Sequence, residues 1–400
     1  MTVCLIFGLL AVCKVRFTFS NILLPLGLSF YMFQSVGYVL DVYRGTAKAE
    51  KNPLKLLLFV SYFPQLVQGP ISKYGTLAPQ LFAHHPYDGK QVAFGLERML
   101  WGFFKKMVIA DRIAVAIVTL KGPGYTGLSF LVLTIFYAVQ IYGDFTGGID
   151  IVIGLSEAFG IRLPENFIRP FFSKNIAEYW RRWHISLGEW MKDYIFYPIS
   201  ISSPMRKLSK ATRKKWPNFG KRIPVYAASF ATWFCTGIWH GITPNFILWG
   251  MMNCVVIVAS EELTPLYEKF HSRFHLKDKK WYGVFEMLRM FMLMNLIRIV
   301  DLFPNVGEYF RRMGTMFTSF NVPFMKLGLT GLDYGILIIG ILLLFAVSLF
   351  QEKKGSVREA LLKQNAALRY TLIFLLFLAV LLLGSYGIGY DAGNFIYNQF

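Results

Sequence analysis

Charge is scarce in this chain. Only 16% of its 400 residues are charged, where a soluble protein carries about 25%, and acids are rarer than bases, 23 against 42. A soluble globular domain is excluded on that ground. Cysteine is nearly absent too: Cys4, Cys13, Cys235 and Cys254 form no CxxC pair and no ligand spacing. A disulfide framework or thiolate metal site therefore has no support, and Cys235 and Cys254, set in apolar runs, read as buried reduced thiols. There is no GxSxG, no P-loop, no GxGxxG after a strand and no HExxH, so serine-hydrolase, nucleotide-binding and metal-hydrolase readings find no foothold. Internal repeats and low-complexity tails are also missing, and residues 1–400 read as one membrane domain.

What is present is apolar, at 55% hydrophobic and 17% aromatic. The runs YGILIIGILLLFAVSLF (334–350) and YTLIFLLFLAVLLLGSY (370–386) are close to the length of a bilayer-spanning helix. Backbone polar groups in hydrocarbon need internal partners, and uninterrupted apolar runs without period-2 alternation choose helices over a barrel. The expected fold is all-α, a polytopic bundle. Spans are expected at about 22–40, 54–69, 92–120, 127–143, 223–241, 245–261, 284–303, 333–350 and 370–388, with re-entrant or amphipathic pieces at 144–160 and 174–198. The first fourteen residues are apolar but too short to span and lack a signal-peptide pattern. A partial first helix is expected there.

The formal net charge of +19 does not point to nucleic acid, because the bases sit in short segments between apolar runs. That is the pattern of cytoplasmic loops facing anionic lipid. Residues 203–222 hold eight bases (Arg206, Lys207, Lys210, Arg213, Lys214, Lys215, Lys221, Arg222) and no acid. Segments 268–280 and 351–369 are also basic. Each is an even number of spans from the next, so all three are expected in the cytoplasm. The turn Gly241–Asn245 and the tail after Tyr386 then face outward.

Four of the six histidines (His84, His85, His271, His275) read as solvated loop residues. His240 ends the apolar run IPVYAASFATWFCTGIWHG; a helix from Ile223 puts it about 26 Å along the axis, toward the outer side. Ionisable groups at such depth are costly and usually functional, the alternative being a histidine that closes a helix end. His184 lies in NIAEYWRRWHISLGEWMKDYIFYPI, where helical spacing gathers Trp180, Trp183, His184, Leu187, Met191 and Tyr194 on one stripe. Glu178 and Arg182 stand at i, i+4 on the remaining surface. This reads equally as a functional histidine or as part of an interfacial amphipathic helix. Asp144 and Asp150 lie in YGDFTGGIDIVIG, where Gly147–Gly148 is expected to break the helix and line a polar cavity; the alternative is a turn capped by Asp144.

In this order, the segments LPLGLSFYMFQSVGYVLDVYRG, YFPQLVQGPISKY, YGDFTGGIDIVIG, ENFIRPFFSKNIAEYWRRWHISLGEWMKDYIFYP and WHG followed by FILWG resemble the membrane-bound O-acyltransferase family. They are most similar to its branch containing the alginate O-acetylation membrane protein and the D-alanine transfer protein of Gram-positive walls. The resemblance implies a bundle of about eleven or more helices around a central tunnel. It also implies a multi-pass location in a bacterial-type plasma membrane, and a chain short at its N-terminus, since relatives carry spans before LPLG. The implied activity moves an acyl group, acetyl foremost, from a cytoplasmic thioester to hydroxyls of an extracytoplasmic polysaccharide, with D-alanyl transfer to teichoic acid as the alternative.

By resemblance His240 matches the catalytic histidine and His184 the second functional one, with Trp239, Trp183, Asp144 and Asp150 in supporting places. The chemistry expected of them is general-base help from His240 toward the acceptor hydroxyl and an orienting or oxyanion-donor role for His184. Asp144 is a possible holder of an imidazole tautomer, and a covalent route through Cys235 is the lesser alternative. No tightly bound cofactor and no metal are implied, only an acyl thioester co-substrate (acetyl-CoA or an acyl carrier protein). The implied partners are that donor on the basic cytoplasmic face, a polymer or secreted acyltransferase outside, and the bilayer; nucleic acid is not among them. A transporter predicts inverted repeats, which the halves lack; a structural scaffold of a secretion complex would not require the histidines.

Overall fold

The computed structural model describes residues 27–320 and 322–386. The first apolar segment, Cys4, Cys13, the start of the LPLG segment and the tail after Tyr386 lie outside them. The described chain is helical, and no strand forms among its residues beyond one isolated antiparallel bridge, Phe167–Trp183. Among the described residues four helices are long and apolar enough to cross a membrane: Leu128–Ala158, Pro244–Glu262, Gly331–Lys354 and Ala366–Leu383. Pro217–His240 and Lys280–Arg298 have the length; the first carries Lys221 and Arg222 near its start and the second Glu286 and Arg289 in its middle.

Three expectations are corrected. The span expected at 54–69 is an eight-residue helix, Pro53–Val60, followed by a 3₁₀ turn, Phe63–Gln65. Pro64 and Pro70 lack the backbone N–H that a continuing helical ladder needs there. The re-entrant piece expected at 144–160 belongs to one unbroken 31-residue helix, Leu128–Ala158. In the basic segment 203–222, eleven residues, Ser203–Arg213, form a helix. It folds back on the start of the next helix, with Ser209 Oγ donating to Gly220 O at 2.7 Å.

The chain divides into two compact units. One holds Val39–Arg44 and Glu165–Glu308; the other is the described part of Pro25–Tyr38, Gly45–Pro164 and Tyr309–Phe400.

In the second unit, the helix Gly89–Phe103 runs through a π-helical turn, Phe104–Ala110, into Asp111–Leu120. It packs on Leu128–Ala158 through glycines: a Cβ on Gly95 would lie 2.4 Å from Gly154 O, and one on Gly102 2.6 Å from Gly147 O. Gly147 thus admits a neighbouring backbone and leaves its own helix intact, the use of small residues typical of membrane helix pairs.

The interface so formed buries a charge network. Lys105 Nζ meets Asp150 Oδ2 at 2.7 Å and Thr146 Oγ1 at 2.8 Å, and Arg98 meets Asp150 Oδ1 at 2.8 Å. Lys106 meets Asp144 at 2.7 Å and Asp111 at 2.6 Å. Charges buried in a bundle interior persist when paired, and the three bases and three acids here balance.

Candidate active site

The first unit carries both candidate histidines. His240 is the last residue of Pro217–His240, and after a short turn the helix Pro244–Glu262 returns alongside. Two glycines set how closely the pair approaches. A Cβ on Gly237 would lie 2.7 Å from Phe246 O, and one on Gly250 2.4 Å from Trp233 O. The backbones therefore nearly touch beside the histidine. His240 is buried, with its ring 4.6 Å from Trp239, 4.7 Å from Trp249 and stacked on Phe246 at 6.3 Å. The start of the returning helix is pinned by Asn245 Nδ2, which donates to Val300 O at 3.0 Å and Phe303 O at 2.6 Å. That link holds the 299–303 turn beside the pair, and Arg298 lies over the Trp249 ring at 5.4 Å while pairing with Asp301 at 3.3 Å.

His184 is placed by a different device. The stripe predicted to run through one helix is split: Ile176–Arg182 ends, and Ile185–Met191 begins, on either side of Trp183 and His184. His184 takes the left-handed conformation, φ 47° and ψ 53°, which for a non-glycine residue costs roughly 1–2 kcal/mol and must be held by its surroundings. The hold comes from Asn166. Its backbone oxygen accepts from Ile185 N at 3.0 Å, and its side-chain Oδ1 accepts from Ser186 N and Ser186 Oγ, both at 3.0 Å. Next to it, the Phe167–Trp183 bridge clamps the two segments. The upstream helix is capped by Asn175, which accepts from Glu178 N at 2.8 Å, and the expected Glu178–Arg182 pair forms at 2.8 Å.

His184 is buried, and its Nδ1 lies 3.4 Å from Asn166 Oδ1. Burial, reinforced by the Arg298 charge and opposed by a backbone hydrogen bond within the same residue, pushes its pKa down to about 3. The imidazole is therefore neutral at physiological pH. Its ring lies 6.3 Å from that of Trp239, whose other neighbour is His240. One indole thus touches both imidazoles, and the structure brings the two histidines of the sequence reading together around it.

The other expected residues fall as follows. Trp183 stacks on Tyr179 at 5.7 Å and meets Phe167 edge-on at 5.0 Å, which makes it the packing partner of the Phe167 bridge. Asp144 and Asp150 belong to the other unit, where each is ion-paired to a lysine as described above; neither caps a helix. Cys235, expected to be buried, is instead exposed together with Phe234 and Ile238, on the face of its helix away from Thr236, Gly237, Trp239 and His240, which are buried. The thiol therefore leaves the histidine side of its helix, against the covalent route. Cys254 is the other free thiol among the described residues and is buried as expected.

Sequence reasoning missed Asn166, Arg298 and the tryptophan cluster of Trp180, Trp233 and Trp249, whose rings lie 4.7–6.1 Å apart. Asn166 stood in a quoted motif, and Arg298 was an ionisable group within an expected span; both were usable signals.

A family model described as the membrane-bound O-acyltransferase family matches residues 49–213 and 218–300. The chain belongs to that family. It is 32% identical over 329 residues to a probable alginate O-acetylase of Pseudomonas syringae pv. tomato, covering 81% of this chain and 58% of that protein. It is 30% identical over 287 residues to a peptidoglycan O-acetyltransferase of Helicobacter pylori, covering 64% and 51%. A teichoic acid D-alanyltransferase of Bacillus subtilis is 28% identical over 279 residues, covering 68% and 67%. The chain spans about half the length of several curated relatives it matches. The family match includes both histidine segments, His184 and His240.

Proposed function

We propose that the chain is an O-acyltransferase of a bacterial plasma membrane that moves an acyl group, acetyl foremost, from a thioester to hydroxyls of an extracytoplasmic polymer or relay protein. The observation that carries this reading is the pair of buried histidines, one in the break between two helices and one ending a third, that meet one indole, Trp239. Such burial is costly for ionisable groups, and packing alone would be met by an apolar ring. Family membership and the O-acetyltransferase names of the relatives support the same reading.

In the proposed reaction His240 accepts the proton of the acceptor hydroxyl. The hydroxyl oxygen bonds to the thioester carbonyl carbon, the C–S bond breaks, and the leaving thiolate takes the proton from His240. His184, neutral and held in a fixed orientation, shapes the pocket beside it. The donor is acetyl-CoA or an acyl carrier protein arriving at the basic cytoplasmic face, with no tightly bound cofactor. Transfer of D-alanine from a carrier to teichoic acid is a second reading, supported by the Bacillus subtilis relative.

The test is thioester consumption and acceptor acylation in proteoliposomes, comparing wild type with His240→Ala and His240→Gln. A general base is worth roughly 10²–10⁴-fold. Both variants should lose activity by that order while remaining monodisperse in detergent, since glutamine keeps hydrogen bonding but accepts no proton. A His240→Gln protein with more than about a tenth of wild-type activity would remove His240 as the base. A wild-type protein that translocates polymer and consumes no thioester would favour a transporter or scaffold.

A further inference from the structure

Asn166 is fully buried, at 0% exposure. Its side-chain oxygen is already committed to Ser186 N and Ser186 Oγ. Because a backbone N–H can only donate, the atom facing Ser186 is the oxygen, and the orientation of the amide is fixed by chemistry. The nitrogen Nδ2 then lies on the other side of the amide, and it has no hydrogen-bond partner among the described residues. A buried donor left in that state costs about 1–3 kcal/mol. The capping task does not explain the nitrogen, since aspartate or serine would accept from Ser186 equally well.

The same oxygen decides the state of His184. Facing an acceptor at 3.4 Å, Nδ1 carries the hydrogen, and a neutral imidazole with its proton on Nδ1 presents a lone pair at Nε2. His184 in this tautomer can accept at Nε2 but cannot donate there. Of the two roles expected for it, orientation survives and oxyanion donation needs another group. Asn166, the residue that holds His184 in place, has a buried donor to spare.

We propose that Asn166 Nδ2 donates the hydrogen bond that receives the acyl carbonyl oxygen during transfer. The proposal rests on the acyltransferase reading above. As the acceptor oxygen bonds to the carbonyl carbon, the C=O π pair moves onto oxygen, and the Asn166 amide holds the resulting oxyanion. When the C=O bond reforms, the C–S bond breaks with its electron pair on sulfur, and the thiolate is protonated by His240. The amide exchanges no atoms; it supplies a preorganised dipole in a site closed to solvent.

Asn166→Asp separates this role from a structural one. It keeps an oxygen for Ser186 and for His184 Nδ1, removes the amide donor, and puts in its place a carboxyl that burial makes costly to ionise. The expected result is a folded, monodisperse protein in detergent, with kcat for acyl transfer lower by roughly 10²–10³-fold and the thioester KM changed by less than about threefold. A residue that merely orients His184 would be well served by aspartate, so a folded Asn166→Asp protein with kcat within about threefold of wild type overturns the proposal. Should that variant not fold, Asn166→Ser, which caps with a hydroxyl too short to reach the place of Nδ2, carries the same expectation and the same reversal. His240→Gln, measured in the same vesicles, keeps the two ideas apart. If it stays active, the assignment of this site falls, whatever Asn166 does. If it is inactive while Asn166→Asp is active, only the donor assignment falls.

Discussion

His184 and Trp239 meet with ring centroids 6.3 Å apart and planes at 64°, so an imidazole fixed by a broken helix leans on the residue that precedes His240. The contact depends on how closely Pro217–His240 approaches its return helix, Pro244–Glu262.

Gly237→Ala and Gly250→Ala should each destabilise the protein by about 1–3 kcal/mol and depress acylation. The new methyl would meet Phe246 O at 2.7 Å or Trp233 O at 2.4 Å, and these backbone atoms cannot rotate away. Melting temperature in detergent checks the first effect and turnover per folded molecule the second. Gly335→Ala is the control, since nothing lies within 4 Å of its Cβ position; it should be neutral or slightly stabilising, as alanine favours a helix.

Asp150→Asn should cost about 3–5 kcal/mol, the penalty of leaving a buried partner uncompensated, because Lys105 and Arg98 both point at that carboxylate. The double variant Asp150→Asn, Lys105→Met should recover much of the loss by removing the stranded charge. If the pair is structural, recovered stability brings recovered acylation. A stable but inactive double variant would instead give Asp150 a part in the chemistry.

These results also show what the sequence could and could not reveal. The burial of His240 was legible because an ionisable side chain in an apolar run stands out, a signal contained within twenty residues. The Glu178–Arg182 pair was legible for the same reason of locality. The break at His184 was not, because it is held by Asn166, eighteen residues upstream, and the 3.6-residue stripe runs on across it. Gly147–Gly148 misled in the opposite sense. A glycine pair reads as a helix breaker until the neighbouring Gly102 backbone, 2.8 Å from the place of a methyl on Gly147, shows it to be a contact. Asp144 and Asp150 were picked out correctly as costly, but the lysines that balance them lie on another helix.

Sidedness can be tested directly. A fluorescent reporter that matures only in the cytoplasm should light when fused after Lys215, within the segment of eight bases, and stay dark when fused after Phe400. The opposite pattern would turn His240 toward the cytoplasm and reverse the direction of transfer.

The strongest test of the His184 architecture uses pH and backbone geometry together. Its pKa is about 3 in the folded chain against 6.5 for a free side chain, so between those values only the unfolded state binds the proton. The contribution of neutral His184 to stability is therefore complete above about pH 6.5 and lost as pH falls toward 3. His184→Asn removes the titrating group and suits the left-handed backbone, which asparagine tolerates better than most residues. Its melting temperature should match wild type near neutrality and fall less steeply on acidification. His184→Ala also removes the titration but pays the left-handed penalty of roughly 1–2 kcal/mol, so its curve should lie below that of His184→Asn at every pH. Parallel acid limbs for wild type and His184→Asn would mean that His184 takes up its proton in the folded protein. Equal stability of the Asn and Ala variants would remove the strained backbone from the account of how the site is held.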